Sequence, residues 1–330
     1  MKKLINNKED IVKEMVEGMV KAFPNEIESV NELPIIIRKN KKQGKVALVS
    51  GGGSGHEPSH AGFVGFGMLD GAIAGEVFTS PSADKVYEAI KAVDNGEGVL
   101  LIIKNYSGDV MNFEMAAEMA ELDGIKVNKV IVDDDIAVEN STYTIGRRGI
   151  AGTIFVHKIL GAAAEEGYSL DKIKELGDRV IRNIKTMGIS LKSCTVFTTG
   201  KGSFDLADDE IEVGLGIHGE PGTHREKFQN ADVHVDHILD KILEESNIQN
   251  EKVAVLINGL GETTLIELFI VSNRVSNVLK EKNIHVEKTL VGNYMTSLDM
   301  GGFSISILKL DEESERLLKS KSDTIALKTF

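Results

Sequence analysis

Apolar residues recur at i, i+4 spacing over residues 10–23, where Ile11, Met15 and Met19 stand beside Val12, Val16, Val20 and Phe23. That period predicts an amphipathic helix. Two short apolar runs follow, at 34–37 and 45–49. A run such as Val46-Ala47-Leu48-Val49 has no polar face, as suits a strand buried on both sides. Residues 98–103, 129–132 and 252–257 read the same way. Helical periods alternate with them: Ser82 is placed to cap a helix through Val93, and 112–122, 153–166 and 170–186 are further helices. Strand and helix in alternation predict α/β architecture with a largely parallel sheet. Two successive helices ending near Met187 suggest a boundary there. The second half restarts with strands at 193–198 and 210–215, a helix at 232–245, a strand at 252–258, a helix at 264–282, and strands at 285–292 and 303–309. The expected fold is therefore two α/β domains, 1–187 and 188–330, each with a mostly parallel or mixed sheet flanked by helices.

Composition narrows the function classes. The 330 residues are 42% hydrophobic, with 33 Gly and 5 Pro, which is ordinary for globular chains. A net charge of −13 argues against nucleic acid and anionic membranes as partners, since both need clustered Lys and Arg. Cys194 is the one cysteine, so no internal disulfide forms and a reducing compartment fits. The N-terminal MKKLINNKED carries two lysines but no apolar run behind them, and no stretch reaches the ~18 apolar residues of a membrane span. The expected location is cytoplasmic.

Three clusters could carry chemistry. Ser50-Gly51-Gly52-Gly53-Ser54-Gly55-His56-Glu57-Pro58 directly follows a buried strand, and ligands in open α/β sheets bind beyond the carboxyl ends of strands. Its glycines let backbone N–H groups approach a ligand; the competing reading is a flexible turn. The cluster is neither a dinucleotide fingerprint nor a Walker loop, because His56 and Pro58 hold the third-glycine positions and no Gly-Lys is followed by Ser or Thr at the required spacing. The second cluster, Lys104-Asn105-Tyr106-Ser107-Gly108-Asp109, follows the strand at 99–103. Asp109 is either a general base or an ordinary helix N-terminal acid facing the dipole. In the third, Gly214-Leu215-Gly216-Ile217-His218-Gly219-Glu220-Pro221-Gly222, glycines leave His218 accessible. It is either a nucleophilic neutral imidazole or a surface turn residue.

The other histidines point elsewhere. His224, His234 and His237 raise the question of a metal, but no cysteine joins them and a solvated helix face is favoured; no metal site is expected. His60, His157 and His285 read as structural. Asp133-Asp134-Asp135 ends a strand and reads as a turn or helix cap before a cation site.

Taken together, the clusters resemble the dihydroxyacetone kinase family, and within it the K subunit of the bacterial phosphotransferase-dependent form. The likeness runs from Met1-Lys2-Lys3-Leu4 through 46–58, Glu76-Val77-Phe78-Thr79-Ser80-Pro81, 96–109, 133–138, Gly146-Arg147-Arg148-Gly149 and 216–222 to Thr296-Ser297-Leu298-Asp299-Met300-Gly301-Gly302-Phe303. The resemblance implies that His218 adds to a ketone as a hemiaminal. It also implies that Gly53, Ser54, Gly55 and His56 hold the substrate, and that Lys104 and Asp109 are the remaining contacts. Asp109 would take the proton of the substrate hydroxyl, with His56 orienting the substrate or sharing that work. No cofactor is expected on this chain. ADP and Mg are expected on a separate L subunit, recharged by an M subunit from phosphoenolpyruvate, and the chain itself is expected as a homodimer. The stretch 194–204 departs from the family pattern, where prolines are expected. That keeps open a paralogue that binds dihydroxyacetone but serves as co-activator of a transcription regulator. A third reading, a sugar- or fatty-acid-binding protein on a similar fold, requires that the clusters never meet.

Overall fold

A computed structural model describes residues 2–139, 144–197, 199–220 and 222–330. The strands of the first half are β1 (Ile27–Ser29), β2 (Ile35–Arg38), β3 (Ala47–Ser54), β4 (Gly65–Phe66), β5 (Gly71–Val77), β6 (Val99–Lys104) and β7 (Val127–Val132). Its helices are α1 (Ile11–Ala22), α2 (Ala83–Val93), α3 (Ser107–Leu122), α4 (Thr153–Glu165) and α5 (Leu170–Arg182). The second half holds β8 (Ile184–Lys192), β9 (Glu210–Val213), β10 (His224–Lys227), α6 (Ala231–Glu245), β11 (Lys252–Gly259), α7 (Leu265–Glu281), β12 (His285–Gly292), β13 (Gly301–Lys309), α8 (Glu312–Lys319), β14 (Ser322–Thr324) and β15 (Lys328–Thr329).

Two six-stranded sheets result, ordered β1-β2-β5-β3-β6-β7 and β10-β9-β8-β13-β11-β12. In the first, β5, β3, β6 and β7 are parallel neighbours, so their carboxyl ends open on one edge. The second departs from a largely parallel sheet: only β11 and β12, joined by α7, run parallel, and the other pairings are antiparallel. Mixed sheets flanked by helices are thus the architecture, as the residue pattern predicts.

Each sheet has one face with private helices. On the first, Ile35, Val49, Leu101 and Ile103 pack on α2 and α3; on the second, Ile189, Val255, Ile257 and Ile305 pack on α6 and α7. The opposite faces share one core. Leu48, Leu100 and Ile102 of the first sheet lie in the same cluster as Ala254, Leu256 and Leu308 of the second, with α4 and α5 residues among them. α4 is buried all round, as a helix with no polar face must be. A buried ionic group ties it down: Arg38 and Lys45 meet Asp70 and, from α4, Glu165 at 2.6–3.4 Å.

Three element readings are corrected. The helix at 170–186 ends at Arg182 and β8 begins at Ile184. A boundary at 187/188 would thus fall inside a strand, since Met187 and Ile189 are sheet-facing apolar residues rather than helix-face ones. The strand at 193–198 is only an isolated bridge from Thr195 to Gly202; Thr198 lies outside the described residues. Third, Ser50–Ser54 is not a loop but the end of β3, pairing with β5. Its glycines serve close backbone approach, because a Cβ on Gly51 would sit 2.6 Å from Ile73 O and one on Gly53 2.6 Å from Thr79 N. No helix is long and apolar enough to cross a membrane among the described residues.

Gly161 of α4 lies against the backbone of Gly67 and Met68, where a Cβ would come within 2.4 Å. Ala in place of a helical Gly ordinarily stabilises by about 1 kcal/mol. At this position Gly161→Ala should instead destabilise by about 1–3 kcal/mol through overpacking. Urea unfolding decides the sign, and an unchanged or raised midpoint contradicts the packing described.

Candidate active site

The carboxyl edge of the parallel strands gathers most of the candidate residues. His56 follows β3, Phe78–Ser80 follow β5, and Lys104 ends β6, with Asp109 in the first turn of α3. α3 begins at Ser107, earlier than its apolar period indicates, so Asp109 is both a helix N-terminal acid and a member of this edge. The second half supplies His218, from the connection between β9 and β10, and Thr296, from that between β12 and β13. Pro221 of the His218 motif lies outside the described residues.

The halves are pinned together beside His56. Thr296 N donates to His56 O at 3.2 Å, Leu298 N to Gly55 O at 2.7 Å, and Ser59 Oγ to Tyr294 O at 2.7 Å. His56 is fully buried, with Nδ1 2.8 Å from Thr296 O and Nε2 3.1 Å from His218 Nε2. A carbonyl only accepts, so Nδ1 of His56 carries the ring hydrogen and its Nε2 must accept. His218 therefore donates from Nε2 and keeps its lone pair on Nδ1, which is buried without a partner. Phe78 stacks on His56 at 5.5 Å, and Tyr106 meets the His218 ring edge-on at 4.4 Å.

Lys104 and Asp109 share the space over Gly52. A Cβ there would lie 3.2 Å from Lys104 Nζ and 3.3 Å from Asp109 Oδ2, so only glycine leaves room for both. Both side chains are buried, and Lys104 Nζ and Asp109 Oδ1 have no hydrogen-bond partner. Burial pushes the Lys104 ammonium down and the Asp109 carboxyl up, each opposed by the other's charge. Burial also lowers His56 and His218 well below the usual imidazole range, with nearby cationic and imidazole groups adding to it. His218 lines a cleft of about 560 Å³ together with Phe78, Ser80, Tyr106 and Gly108, and His56 touches it through its contact with the His218 ring. Gly53 and Ser54 lie beneath it in β3, Ser54 Oγ bonding Gly75 O, while Gly55 turns the chain into His56 at φ 109°.

The His218 loop is held from behind. Glu220 Oε2 accepts from His218 N at 2.8 Å, and Arg148, paired to Asp135, reaches Gly214 O at 2.7 Å and Glu220 at 3.7 Å. Asp134 accepts from Ile150 N and Gly152 N, capping the start of α4. Asp134 and Asp135 are thus tied into the fold, Asp134 at the turn before α4 and Asp135 on Arg148. Tyr106, Phe78, Thr296 and Glu220 were not singled out by residue type. Their signal lies in position, each within or beside a cluster at a strand end, and in Gly216, where a Cβ would collide with Glu220.

The chain is similar to known proteins along nearly its whole length. The chain matches the Dak1 domain family model over residues 17–326. It is 55% identical over 328 residues to the dihydroxyacetone-binding subunit DhaK of a PTS-dependent dihydroxyacetone kinase 1 of Listeria innocua, covering 99% of this chain and 100% of that protein. Among solved structures, the C. freundii dihydroxyacetone kinase in complex with AMP-PNP and Mg2+ superposes with TM-score 0.93 at 36% identity, over 99% of this chain and 61% of that one. The dihydroxyacetone kinase operon co-activator Dha-DhaQ superposes with TM-score 0.91 at 37% identity, over 96% and 98%.

The buried imidazoles make acid sensitivity testable. His56, His60, His157 and His218 are all lowered by burial, His157 to about 3. Once unfolded they titrate near pH 6.5, so unfolding takes up protons and stability should fall as pH drops from 7 to 6. Nearer pH 6 the Asp135 carboxyl, raised to about 6 by burial, works in the opposite sense because the folded state then binds its proton first. His157→Gln should flatten the fall in denaturation midpoint; an unchanged slope means the ring is not held neutral.

Proposed function

The chain belongs to the dihydroxyacetone kinase family through its Dak1 domain, and we propose that it binds dihydroxyacetone as a hemiaminal on His218 and presents it for phosphorylation. The observation that carries this reading is the meeting of His56 and His218 beside Lys104 Nζ and Asp109 Oδ1, buried polar atoms without partners. Buried polar atoms demand hydrogen bonds, and a small polyol ketone offers one at each oxygen. Neutral imidazole is the nucleophilic form. As a ring nitrogen of His218 bonds the carbonyl carbon, the ring proton leaves and the carbonyl oxygen becomes a hydroxyl, with His56 in contact to move that proton. A molecule this small gains little from contacts alone; the covalent anchor supplies affinity and rejects glycerol, which has no carbonyl. Asp109, made more basic by burial, takes the proton of the terminal hydroxyl as phosphate arrives.

The phosphoryl donor in this reading is ADP-linked and sits with Mg on an L subunit, recharged through an M subunit; the metal's charge stabilises the transferring group there. A homodimer fits the apolar face of α7, where Leu265, Ile266, Phe269 and Ile270 are all exposed. The co-activator reading rests on the equally good superposition with Dha-DhaQ and on the unusual stretch 194–204. Retention of His56, Asp109 and His218 favours the kinase subunit.

His218→Ala should leave dihydroxyacetone binding no tighter than about 1 mM, about −4 kcal/mol, by calorimetry. Asp109→Asn should keep the ligand bound yet lose at least ~100-fold in turnover with purified L and M subunits and phosphoenolpyruvate. Wild-type affinity in the first variant, or full turnover in the second, sinks the assignment.

Co-purification from the native cell separates the two readings. An ADP-bearing L subunit with a chain that runs as a dimer in light scattering is expected. Recovery of a helix-turn-helix regulator, with no turnover alongside L, makes the chain a co-activator instead.

A further inference from the structure

His224 and Glu226 are two residues apart on β10, so both side chains leave one face of the strand. Arg225 between them leaves the other face and pairs with Glu212 at 3.0 Å. β10 is the edge of its sheet, and α6 brings His237 to the same place. His224 Nε2 lies 2.8 Å from Glu226 Oε1, and His237 Nδ1 lies 3.3 Å from the Glu226 carboxylate. The three ligand atoms are all within 4.8 Å of one another. Donors about 2.0–2.1 Å from a tetrahedral zinc stand roughly 3.3 Å apart, so only a small adjustment separates this cluster from that arrangement. His234 has no part in it: its Nε2 already accepts from Gln229 N at 2.9 Å.

Hydrogen bonding around Thr223 fixes the electron pairs. Its Oγ1 donates to Val213 O at 3.2 Å and faces His224 Nδ1 at 2.9 Å. With its hydrogen so committed, Oγ1 accepts from Nδ1–H. Nε2 of His224 then presents a lone pair to a carboxylate oxygen that also has only lone pairs. A second nitrogen, from His237, faces the same carboxylate. One divalent cation bound through His224 Nε2, a Glu226 oxygen and His237 Nδ1 relieves the lone-pair contact at His224, whereas His237 meets the carboxylate without a cation only as its Nδ1–H tautomer. A hydroxyl that orients a ligating imidazole through its far nitrogen is the usual outer support of a zinc ligand.

We propose that His224, Glu226 and His237 bind a divalent transition metal of the zinc type, clamping the edge strand β10 to α6 with one coordination position left to solvent. The clamp would hold the β9–β10 connection that carries His218, but the metal assignment does not depend on what His218 does. Isothermal titration of the untagged full chain with zinc alone should give one equivalent bound. Cobalt should give a tetrahedral absorption spectrum without a thiolate band, since Cys194 is buried elsewhere. His224→Gln, Glu226→Gln and His237→Gln should each weaken binding at least ~10-fold, and Thr223→Val by about 10-fold. All four positions are at the surface or partly exposed, so the variants should fold, which circular dichroism checks. Zinc should raise the melting temperature of the wild type and not of His237→Gln. No binding by millimolar zinc, or one-equivalent binding that both His224→Gln and His237→Gln leave unchanged, overturns the site.

Discussion

The hydrogen bond from His56 Nδ1 to the carbonyl of Thr296 is the contact on which the site depends. It joins residues 240 positions apart, one from each half of the chain. It also decides a chemical question, since a carbonyl cannot donate and the tautomer of His56 is therefore fixed. The lone pair on the far nitrogen follows, then the donor role of His218, then the free lone pair on His218 Nδ1. A single backbone carbonyl thus propagates an orientation through two rings. Its own position is secured by Asn258, whose Oδ1 accepts from Tyr294 N and Met295 N at 2.9 Å while Nδ2 donates to Met295 O at 2.7 Å.

Attraction and burial oppose one another at the pair Lys104 and Asp109. Lys104 attracts Asp109, which favours both charges, and burial disfavours both. Burial wins on each, so the two affinities for protons move toward one another. The same Lys104 charge presses His56, His60 and His157 further toward neutrality, adding to desolvation rather than opposing it. A carboxylate that is a stronger base than its surface counterparts, beside imidazoles that stay uncharged, is the combination that proton abstraction and nucleophilic addition each require.

Much of this was legible from residue order because strand ends are where such sheets place chemistry. The clusters at 50–58 and 104–109 follow apolar runs directly; the glycines around His218 pointed to an accessible ring, whereas in the fold it packs against His56, Phe78 and Tyr106. What residue order hid was whatever depended on the third dimension. Ser50–Ser54 looked like a loop because its glycines have low strand propensity, yet the backbone of β5 comes so close that only glycine fits. β8 merged with α5 in the apolar pattern because Ile184, Met187 and Ile189 continue a plausible helical face. β10 was invisible: a run of four charged and polar residues, with His224, Arg225 and Lys227 exposed, becomes a strand only because β9 offers it an edge. His224 and His237 were weighed as metal ligands and set aside because residue order did not show that β10 brings Glu226 between them.

Buried polar atoms without partners gather around the two contacting imidazoles. Several groups behind the cleft are satisfied: Asp134 accepts two backbone N–H groups, Asp135 holds Arg148, and Asn258 uses both ends of its amide. Around the two contacting imidazoles others are not, since Lys104 Nζ, Tyr106 Oη, Asp109 Oδ1 and His218 Nδ1 are buried without hydrogen-bond partners. An unmet buried polar group costs roughly 1–3 kcal/mol, and a fold that meets such needs one layer back meets them at the cleft when something polar occupies it. A rigid ring of unpaired donors and acceptors around two contacting imidazoles is complementary to a small molecule with an oxygen on every carbon, and a larger or apolar occupant would leave the same atoms unmet.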